Sequence, residues 1–227
     1  MFDLSNLVST VFHKQEVYEF IVSLIVLSSI IMTGSRRLET IVKLFALQSL
    51  GLVIVILISG IARHSHETFM ISGITFVGKC ILIPWVLSLV LNKVKIRKEV
   101  ETYVALPASM LICCGVAVFV FYITTSYQIA SEVMSSSLLS AAVSMILIGL
   151  FIMMTRKKAL TQILGLYVME NGIFALSIDT IYDMPIVVEM GIFLDLLIGA
   201  MVMGIYVYRI KQSFDTINVE EMQELKG

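Results

Sequence analysis

The sequence predicts an all-α, polytopic membrane protein with about seven transmembrane helices, and two observations lead to that prediction. Of its 227 residues, 58% are hydrophobic and only 15% are charged, whereas about a quarter of an average soluble domain is charged. The apolar residues also form runs of about 20, the length that crosses a hydrocarbon core of about 30 Å. Helices are favoured over a closed barrel, whose strands would alternate over about ten residues.

Seven apolar runs are long enough to cross a bilayer, and together they account for most of the chain. They cover residues 17–34, 38–62, 68–92, 102–124, 134–155, 158–178 and 185–208. The loops between these runs are short, so we expect one membrane domain and no soluble domain. The ends of the runs are less sharply defined than their centres because helix boundaries vary by one or two residues.

Basic residues are divided unequally between the two sets of loops. Seven spans place the loops after the first, third and fifth spans on the same side as the C-terminal tail, and this side holds most of the 16 basic residues. The opposite side holds only Lys14 and Arg63. Because cytoplasmic loops carry the excess of Lys and Arg, we expect the C-terminus to be cytoplasmic.

The second and third spans align by position with the sixth and seventh. Gln48 then falls on Glu170, and Lys79 falls on Asp195. Identity between the two halves is weak, so coincidence among similar apolar helices remains an alternative. We interpret the pattern as two parallel three-helix units joined by a helix. The predicted N-terminal unit, linker transmembrane helix and C-terminal unit with a cytoplasmic tail cover residues 1–100, 101–124 and 125–227.

Four polar residues are predicted to reach similar depth near the bilayer centre, namely Gln48, Lys79, Glu170 and Asp195. A rise of about 1.5 Å per residue places each of them about 17–21 Å from the basic residues at the end of its span. A charge at this depth costs at least about 2.5–3.5 kcal/mol unless it finds a partner or water. We therefore expect these side chains to face the protein interior and to form a proton or ion relay. An ion pair of Lys79 with Asp195 or Glu170 that only fixes helix packing is the alternative.

Three other residues in the spans have weaker interpretations. Lys43 lies only about 9 Å deep, and its long side chain can reach the cytoplasmic surface. Glu189 is expected near the opposite interface, either as the outer end of a path or as a hydrated carboxylate. Pro84, five residues after Lys79, removes a backbone donor and is expected to kink the third span.

The sequence contains no motif typical of a soluble enzyme. It has no P-loop, no GxGxxG and no CxxC, and Cys80, Cys113 and Cys114 all lie within spans, where they suit apolar packing. We therefore expect no metal or cofactor in this chain. If the protein acts in a redox complex, the metals and the catalysis belong to other subunits.

Two segments resemble a known family. Residues 156–171, RKKALTQILGLYVMEN, resemble the second helix of the complex I K subunit, and residues 193–227 resemble its third helix and tail, with Asp195 four residues before Gly199. This K-like module covers about residues 134–227. Extended by N-terminal helices to the present length, the module resembles component E of hydrogenase-4, found in formate hydrogenlyase and related group 4 membrane-bound hydrogenases.

The resemblance implies a non-catalytic membrane-arm subunit in the inner membrane of a prokaryote, packed between antiporter-like subunits and other subunits of the arm. It also implies that Asp195 takes the position of the family's third-helix glutamate. The second-helix glutamate, however, falls on Tyr167 rather than on Glu170. Because three residues make nearly one turn, Glu170 lies on about the same face, about 4.5 Å deeper, where we expect it to substitute.

The resulting hypothesis is an ion-translocating subunit of an energy-converting hydrogenase of the formate hydrogenlyase type. In it, Glu170 and Asp195 relay protons, Lys79 is their charge partner, and Gln48 is a hydrogen-bond bridge. Two alternatives remain open. The chain is either a structural scaffold whose polar residues are assembly contacts, or a free-standing ion or solute transporter built on the repeat.

Overall fold

The computed structural model of the protein describes residues 15–63, 66–93, 100–126 and 136–180, with single positions of the last predicted span at Gly191, Leu194, Ile198, Gly199 and Val202. The described helices are α1 Gln15–Gly34, α2 Leu38–Arg63, α3 His66–Thr75, α4 Ile83–Lys93, α5 Leu106–Ser126, α6 Ser136–Thr155 and α7 Ala159–Thr180. Between α3 and α4 the chain continues as a π-helical segment, Phe76–Leu82.

Six stretches of the described chain are long and apolar enough to cross a membrane, and they confirm the all-α fold and six of the predicted spans. They are Glu16–Gly34, Leu38–Ile61, Phe69–Leu89, Leu106–Ser126, Ser136–Thr155 and Ala159–Ile178. The seventh predicted span, 185–208, lies almost entirely outside the described residues. The fourth span begins at Leu106 rather than at residue 102, because the preceding residues are held in a hydrogen-bonded loop.

Helices α6 and α7 form the most extensive helix pair of the described bundle, and glycines set their separation. A methyl group added to Gly149 would lie 2.6 Å from the backbone nitrogen of Met169 and 2.7 Å from the carbonyl oxygen of Gly165. A methyl group on Gly172 would lie 2.8 Å from the carbonyl oxygen of Ala142. Only glycine permits this backbone approach, as is common at helix contacts in membranes.

Helix α2 lies between the third span and the C-terminal helices. It packs against α1 on one side and against α3, the π segment and α4 on another, and it also contacts α7. Its buried residues include Phe45, whose ring centroid is 5.3 Å from that of Tyr167 in α7. Polar side chains on α2 are therefore placed to meet partners from the third span and from α7.

A loop of residues 100–105, called the strap below, closes one end of the bundle. The backbone N–H of Val100 donates to the carbonyl of Arg36 at 2.9 Å, and that of Tyr103 donates to the carbonyl of Thr155 at 2.9 Å. The strap thus joins the loop after α1 to the loop after α6. These loops lie together at one end, as the predicted topology requires. A cavity of about 360 Å³ opens there, lined by Arg36, Val100, Ala105, Leu106 and Pro107.

Arg156 directly follows α6 in a basic loop, but its side chain points inward, and the residue is 1% exposed. Its Nη2 donates to the carbonyl oxygen of Thr33 in the last turn of α1. Cations stabilise this end of a helix because its carbonyls carry partial negative charge. Burial lowers the pKa of the guanidinium from its ordinary value, and Cys113 of α5 opposes that effect electrostatically. Arg156 therefore connects the last turn of α1 to the end of α6.

Candidate functional site: a buried lysine–glutamate pair

Lys79 and Glu170 form an ion pair in the interior of the bundle. The Nζ of Lys79 lies 2.6 Å from Oε1 of Glu170, and the two residues are only 4% and 5% exposed. Lys79 stands ten residues from either end of the span Phe69–Leu89, so a rise of about 1.5 Å per residue places it about 15 Å from both ends. The pair therefore lies close to the predicted midplane of the membrane.

The π-helical segment determines how Lys79 faces the interior. Lys79 is the buried residue of Phe76–Leu82, and the backbone N–H of Ile83 donates to the carbonyl of Gly78, five residues earlier. The next residue, Pro84, has no N–H, and its ring would collide with the carbonyl four residues before it in a regular α-helix. The widened turn relieves that collision. The expected disturbance by Pro84 therefore takes the form of a π segment, a feature frequent at functional sites.

Asn171 provides a second partner for the lysine. Its Oδ1 accepts a hydrogen bond from the Nζ of Lys79 at 3.2 Å, while its Nδ2 donates to Oγ of Ser49 on α2 at 3.2 Å. Both Asn171 and Ser49 are fully buried. A lysine ammonium donates and never accepts, so the amide oxygen must face Lys79 and the amide nitrogen must face Ser49. Asn171 thus links the third span, α2 and α7.

Phe174 is a third residue of α7 that lies next to the ammonium. The Nζ of Lys79 lies 5.4 Å from the centroid of its ring, within the range of a cation–π interaction. Phe174 is four residues after Glu170 and three after Asn171, and side chains at these spacings share one face of a helix. The ammonium therefore meets a carboxylate, an amide oxygen and an aromatic ring of α7. Below, the Lys79 cluster means Lys79, Glu170, Asn171, Ser49 and Phe174.

Gln48 is fully buried beside this cluster, but its amide binds elsewhere. Its Nε2 donates to Oγ of Ser29 on α1 at 2.7 Å, and its Oε1 has no hydrogen-bond partner within the described part of the chain. Consecutive helical residues point about 100° apart, so Gln48 faces α1 while Ser49 faces α7. No described hydrogen bond joins Gln48 to Lys79 or Glu170, and its role as a bridge stays a prediction.

Asp195 and Glu189 lie outside the described residues, so their predicted places in the relay stay predictions. Their span nevertheless approaches the cluster at one described position. A methyl group built on Gly191 would lie 3.7 Å from Oε1 of Glu170. Lys43 has an exposed side chain, as expected for a lysine that reaches the membrane surface.

The electrostatics of the cluster require that its two charges remain close together. A single buried charge left without its partner destabilises a protein by about 3–5 kcal/mol. The mutual attraction of Lys79 and Glu170, together with the neutral acceptor of Asn171, offsets the loss of water around the ammonium. Such a site places a carboxylate, a kind of group that is able to bind a proton, beside an ammonium and close to the predicted midplane of the membrane.

Sequence reasoning identified Lys79 and Glu170 but missed Asn171, Ser49, Phe174 and Arg156. Asn171 and Ser49 are polar residues directly beside predicted ones, and that proximity was the available signal. Phe174 and Arg156 gave no such signal, because an aromatic residue in an apolar helix and an arginine in a basic loop are both common. In the described parts of the chain, no three His, Cys, Asp or Glu residues gather as a metal site would require.

Comparison with known proteins confirms the resemblance inferred from the sequence. Residues 136–227 match the family model of NADH-ubiquinone/plastoquinone oxidoreductase chain 4L, the K-like module expected there. Hydrogenase-4 component E of Escherichia coli is 22% identical over 205 residues, which cover 90% of this chain and 94% of that protein. No solved structure matches the chain significantly.

An uncharacterized protein of Mycobacterium tuberculosis is also similar along nearly the whole chain. It is 27% identical over 203 residues, covering 89% of this chain and 92% of that protein. The similarity therefore extends through the N-terminal helices as well as the K-like module. With six membrane-spanning helices in its described part, this chain is a multi-pass membrane protein.

Proposed function

We propose that this chain is a non-catalytic membrane-arm subunit of a hydrogenase-type, complex I-like assembly, and that its buried charges take part in proton translocation. The observation that carries the proposal is the ion pair of Lys79 with Glu170, at 2.6 Å and with both side chains buried. Intramembrane ionisable residues commonly mark proton or ion pathways. The similarity to hydrogenase-4 component E and to oxidoreductase chain 4L supports the type of complex.

In this proposal Glu170 is the group that takes up and releases the proton. When Glu170 is ionised, the ammonium of Lys79 neutralises it. A change of charge in a neighbouring subunit shifts the balance, so that Glu170 gains a proton from one side and returns it to the other. Asp195 of the last span is the proposed next carrier, and Glu189 the proposed outer end of the path.

The subunit's partners in this proposal are antiporter-like membrane subunits and other members of the membrane arm, in the inner membrane of a prokaryote, with the C-terminus cytoplasmic. Redox chemistry of the formate hydrogenlyase type takes place in other subunits. The division of the chain into a unit of residues 1–100, a linker helix 101–124 and a K-like unit 125–227 belongs to the proposal as well.

Isolation of the chain from its native membranes tests the proposed assembly. An affinity-tagged full-length chain, extracted in a mild detergent, is expected to bring down antiporter-like subunits together with a nickel- and iron-containing subunit, identified by mass spectrometry and metal analysis. A second purification in a harsher detergent that separates the subunits provides the control for non-specific capture. Recovery of the chain without any such subunit in the mild detergent contradicts the proposal.

The free-standing transporter is the alternative that the same preparation tests. The purified chain alone, reconstituted into liposomes, is expected to leave an imposed proton gradient intact, because a relay inside one subunit needs the others to complete its path. A gradient that collapses with the wild-type chain alone, and stays intact with the E170Q variant, supports the transporter instead.

A further inference from the structure

We infer that Asn171 is a positioning residue that holds the Lys79 ammonium in place while Glu170 carries a proton. The inference rests on the proposed function, since it concerns the protonated state of the Glu170 carboxyl. It starts from one geometric fact, which is that the ammonium has both a charged acceptor, Glu170, and a neutral acceptor, Asn171, at hydrogen-bond distance.

The two acceptors respond differently when a proton arrives. A carboxylate that gains a proton loses its charge, and most of its attraction for the ammonium disappears with it. An asparagine amide does not titrate in this range, so its oxygen accepts from Lys79 whichever form Glu170 takes. If Glu170 were the only partner, its protonation would leave the ammonium with one weak neutral acceptor near the midplane, where a charge without an adequate partner costs at least about 2.5–3.5 kcal/mol.

Ser49 fixes the direction of the Asn171 amide. Its Oγ accepts from Nδ2 of Asn171 at 3.2 Å, which keeps the amide oxygen turned toward Lys79. Ser49 stands on α2, whereas Asn171 stands on α7, so the amide is held from outside its own helix. A side chain fixed in this manner offers its oxygen without loss of further rotamer freedom when Glu170 becomes neutral.

Phe174 contributes the second interaction that does not depend on Glu170. Its ring centroid lies 5.4 Å from Nζ of Lys79, and the attraction comes from the ring quadrupole rather than from a titrating group. Asn171 and Phe174 together form a cation-binding site. Both of their interactions with the ammonium persist when the carboxylate loses its charge. Lys79 is thus the fixed charge of the cluster, and Glu170 is the group whose charge changes.

The ammonium signal of Lys79 in nuclear magnetic resonance tests this inference directly. The full-length chain, labelled with ¹⁵N-lysine and placed in lipid nanodiscs, is expected to show one protected ammonium signal that the K79M variant lacks. The E170Q variant, which mimics the protonated carboxyl, is expected to keep that signal. Because a glutamine oxygen at position 170 can itself accept from the ammonium, the decisive variants carry leucine there: E170L is expected to keep the signal, E170L/N171L to lose it, and E170L/N171D to regain it, because an acceptor returns to position 171.

Two outcomes overturn the inference. One is loss of the Lys79 signal in E170L alone while the chain stays folded by circular dichroism, which means that Asn171 does not hold the ammonium by itself. The other is a signal that persists in E170L/N171L. Neither outcome depends on transport, so failure of the inference is distinct from failure of the proposed function, which the liposome and complex measurements address.

Discussion

The ammonium of Lys79 and the carboxylate of Glu170 stand 91 residues apart in the chain and 2.6 Å apart in space. Their helices are neighbours of α2 rather than consecutive elements, so the pair joins the third span to the sixth. The pair is buried, lies near the predicted midplane, and shares its lysine with Asn171.

Removal of one charge of the pair should destabilise the protein, whereas removal of both should restore much of the loss. The K79M variant leaves Glu170 buried without its cation, and we expect a decrease of about 3–5 kcal/mol in the free energy of unfolding. In K79M/E170M no charge is left unpaired, and most of that decrease should disappear. Unfolding of the purified chain in detergent measures both values.

The matched control for this experiment is K43M, which removes a lysine from the second span. Lys43 has an exposed side chain, so we expect the K43M variant to unfold close to the wild-type value. A double variant K79M/E170M as unstable as K79M would show that the loss arises from altered packing and not from an unpaired charge.

Pro84 should be required for the orientation of Lys79. In P84A a backbone N–H returns at position 84, and a regular α-helix can replace the widened turn of Phe76–Leu82. Lys79 would then rotate relative to Glu170. We expect the coupling energy of the pair to approach zero when the K79M/E170M cycle is repeated in the P84A background. An unchanged coupling energy would show that Pro84 does not determine the orientation of Lys79.

Gly172 should be intolerant of any larger side chain. Its added methyl would lie 2.8 Å from the carbonyl oxygen of Ala142 and 2.9 Å from the nitrogen of Ile146, both of them backbone atoms that give way only if α6 and α7 separate. We expect G172L to lose at least about 1–3 kcal/mol of stability. The control is G115L, because no heavy atom lies within 4 Å of the position that a methyl group on Gly115 would occupy. Equal thermal midpoints for the two variants would contradict the close packing of α6 and α7.

The strap should be accessible only from the cytoplasm. Tyr103 is 74% exposed, so a cysteine there, in a chain whose Cys80, Cys113 and Cys114 are replaced by serine, offers one reactive thiol. A membrane-impermeant maleimide is expected to label Y103C in inverted vesicles and not in intact cells. A cysteine at Phe69, at the opposite end of the third span, should give the reverse pattern. Labelling of Y103C in intact cells would show that the topology is opposite to the one inferred from the basic loops.

The sequence predicted the spans well because the hydrophobic thickness of a membrane sets their length. The six described spans agree with the predicted ones to within a few residues, except at the start of the fourth. There, hydrogen bonds of the strap to Arg36 and Thr155 hold the backbone outside the helix, and such tertiary contacts leave no periodic signal in the sequence.

The charged residues of the candidate site could be predicted from the sequence, but its neutral residues could not. Lys79 and Glu170 were identified because a charge in an apolar run is costly and therefore needs an explanation. Asn171 and Ser49 carry no such cost when they are hydrogen-bonded, so only their contacts distinguish them from packing residues. Depth from helical rise placed Gln48 level with the cluster, but depth alone does not give the direction of a side chain around its helix.

The acidic residue of α7 stands one turn away from the position that the resemblance predicts for it. The alignment places the second-helix glutamate of the K-like family on Tyr167, whereas the acid of this chain is Glu170. Tyr167 packs against Phe45 of α2, and Glu170, one turn further along α7, meets Lys79. The displaced carboxylate thus has a cationic partner in the third span, Lys79, for which the sequence analysis named either Asp195 or Glu170 as the partner.

Proton translocation by the intact complex tests the central claim most directly, which is that the Lys79–Glu170 pair acts in transport rather than in packing alone. The complex purified through this chain and reconstituted into liposomes is expected to acidify or alkalinise the lumen during turnover. With E170Q we expect normal redox turnover and normal assembly but loss of translocation, whereas E101Q, at an exposed carboxylate of the strap, should retain it. Undiminished translocation by an E170Q complex, at wild-type levels of assembly, would contradict the account.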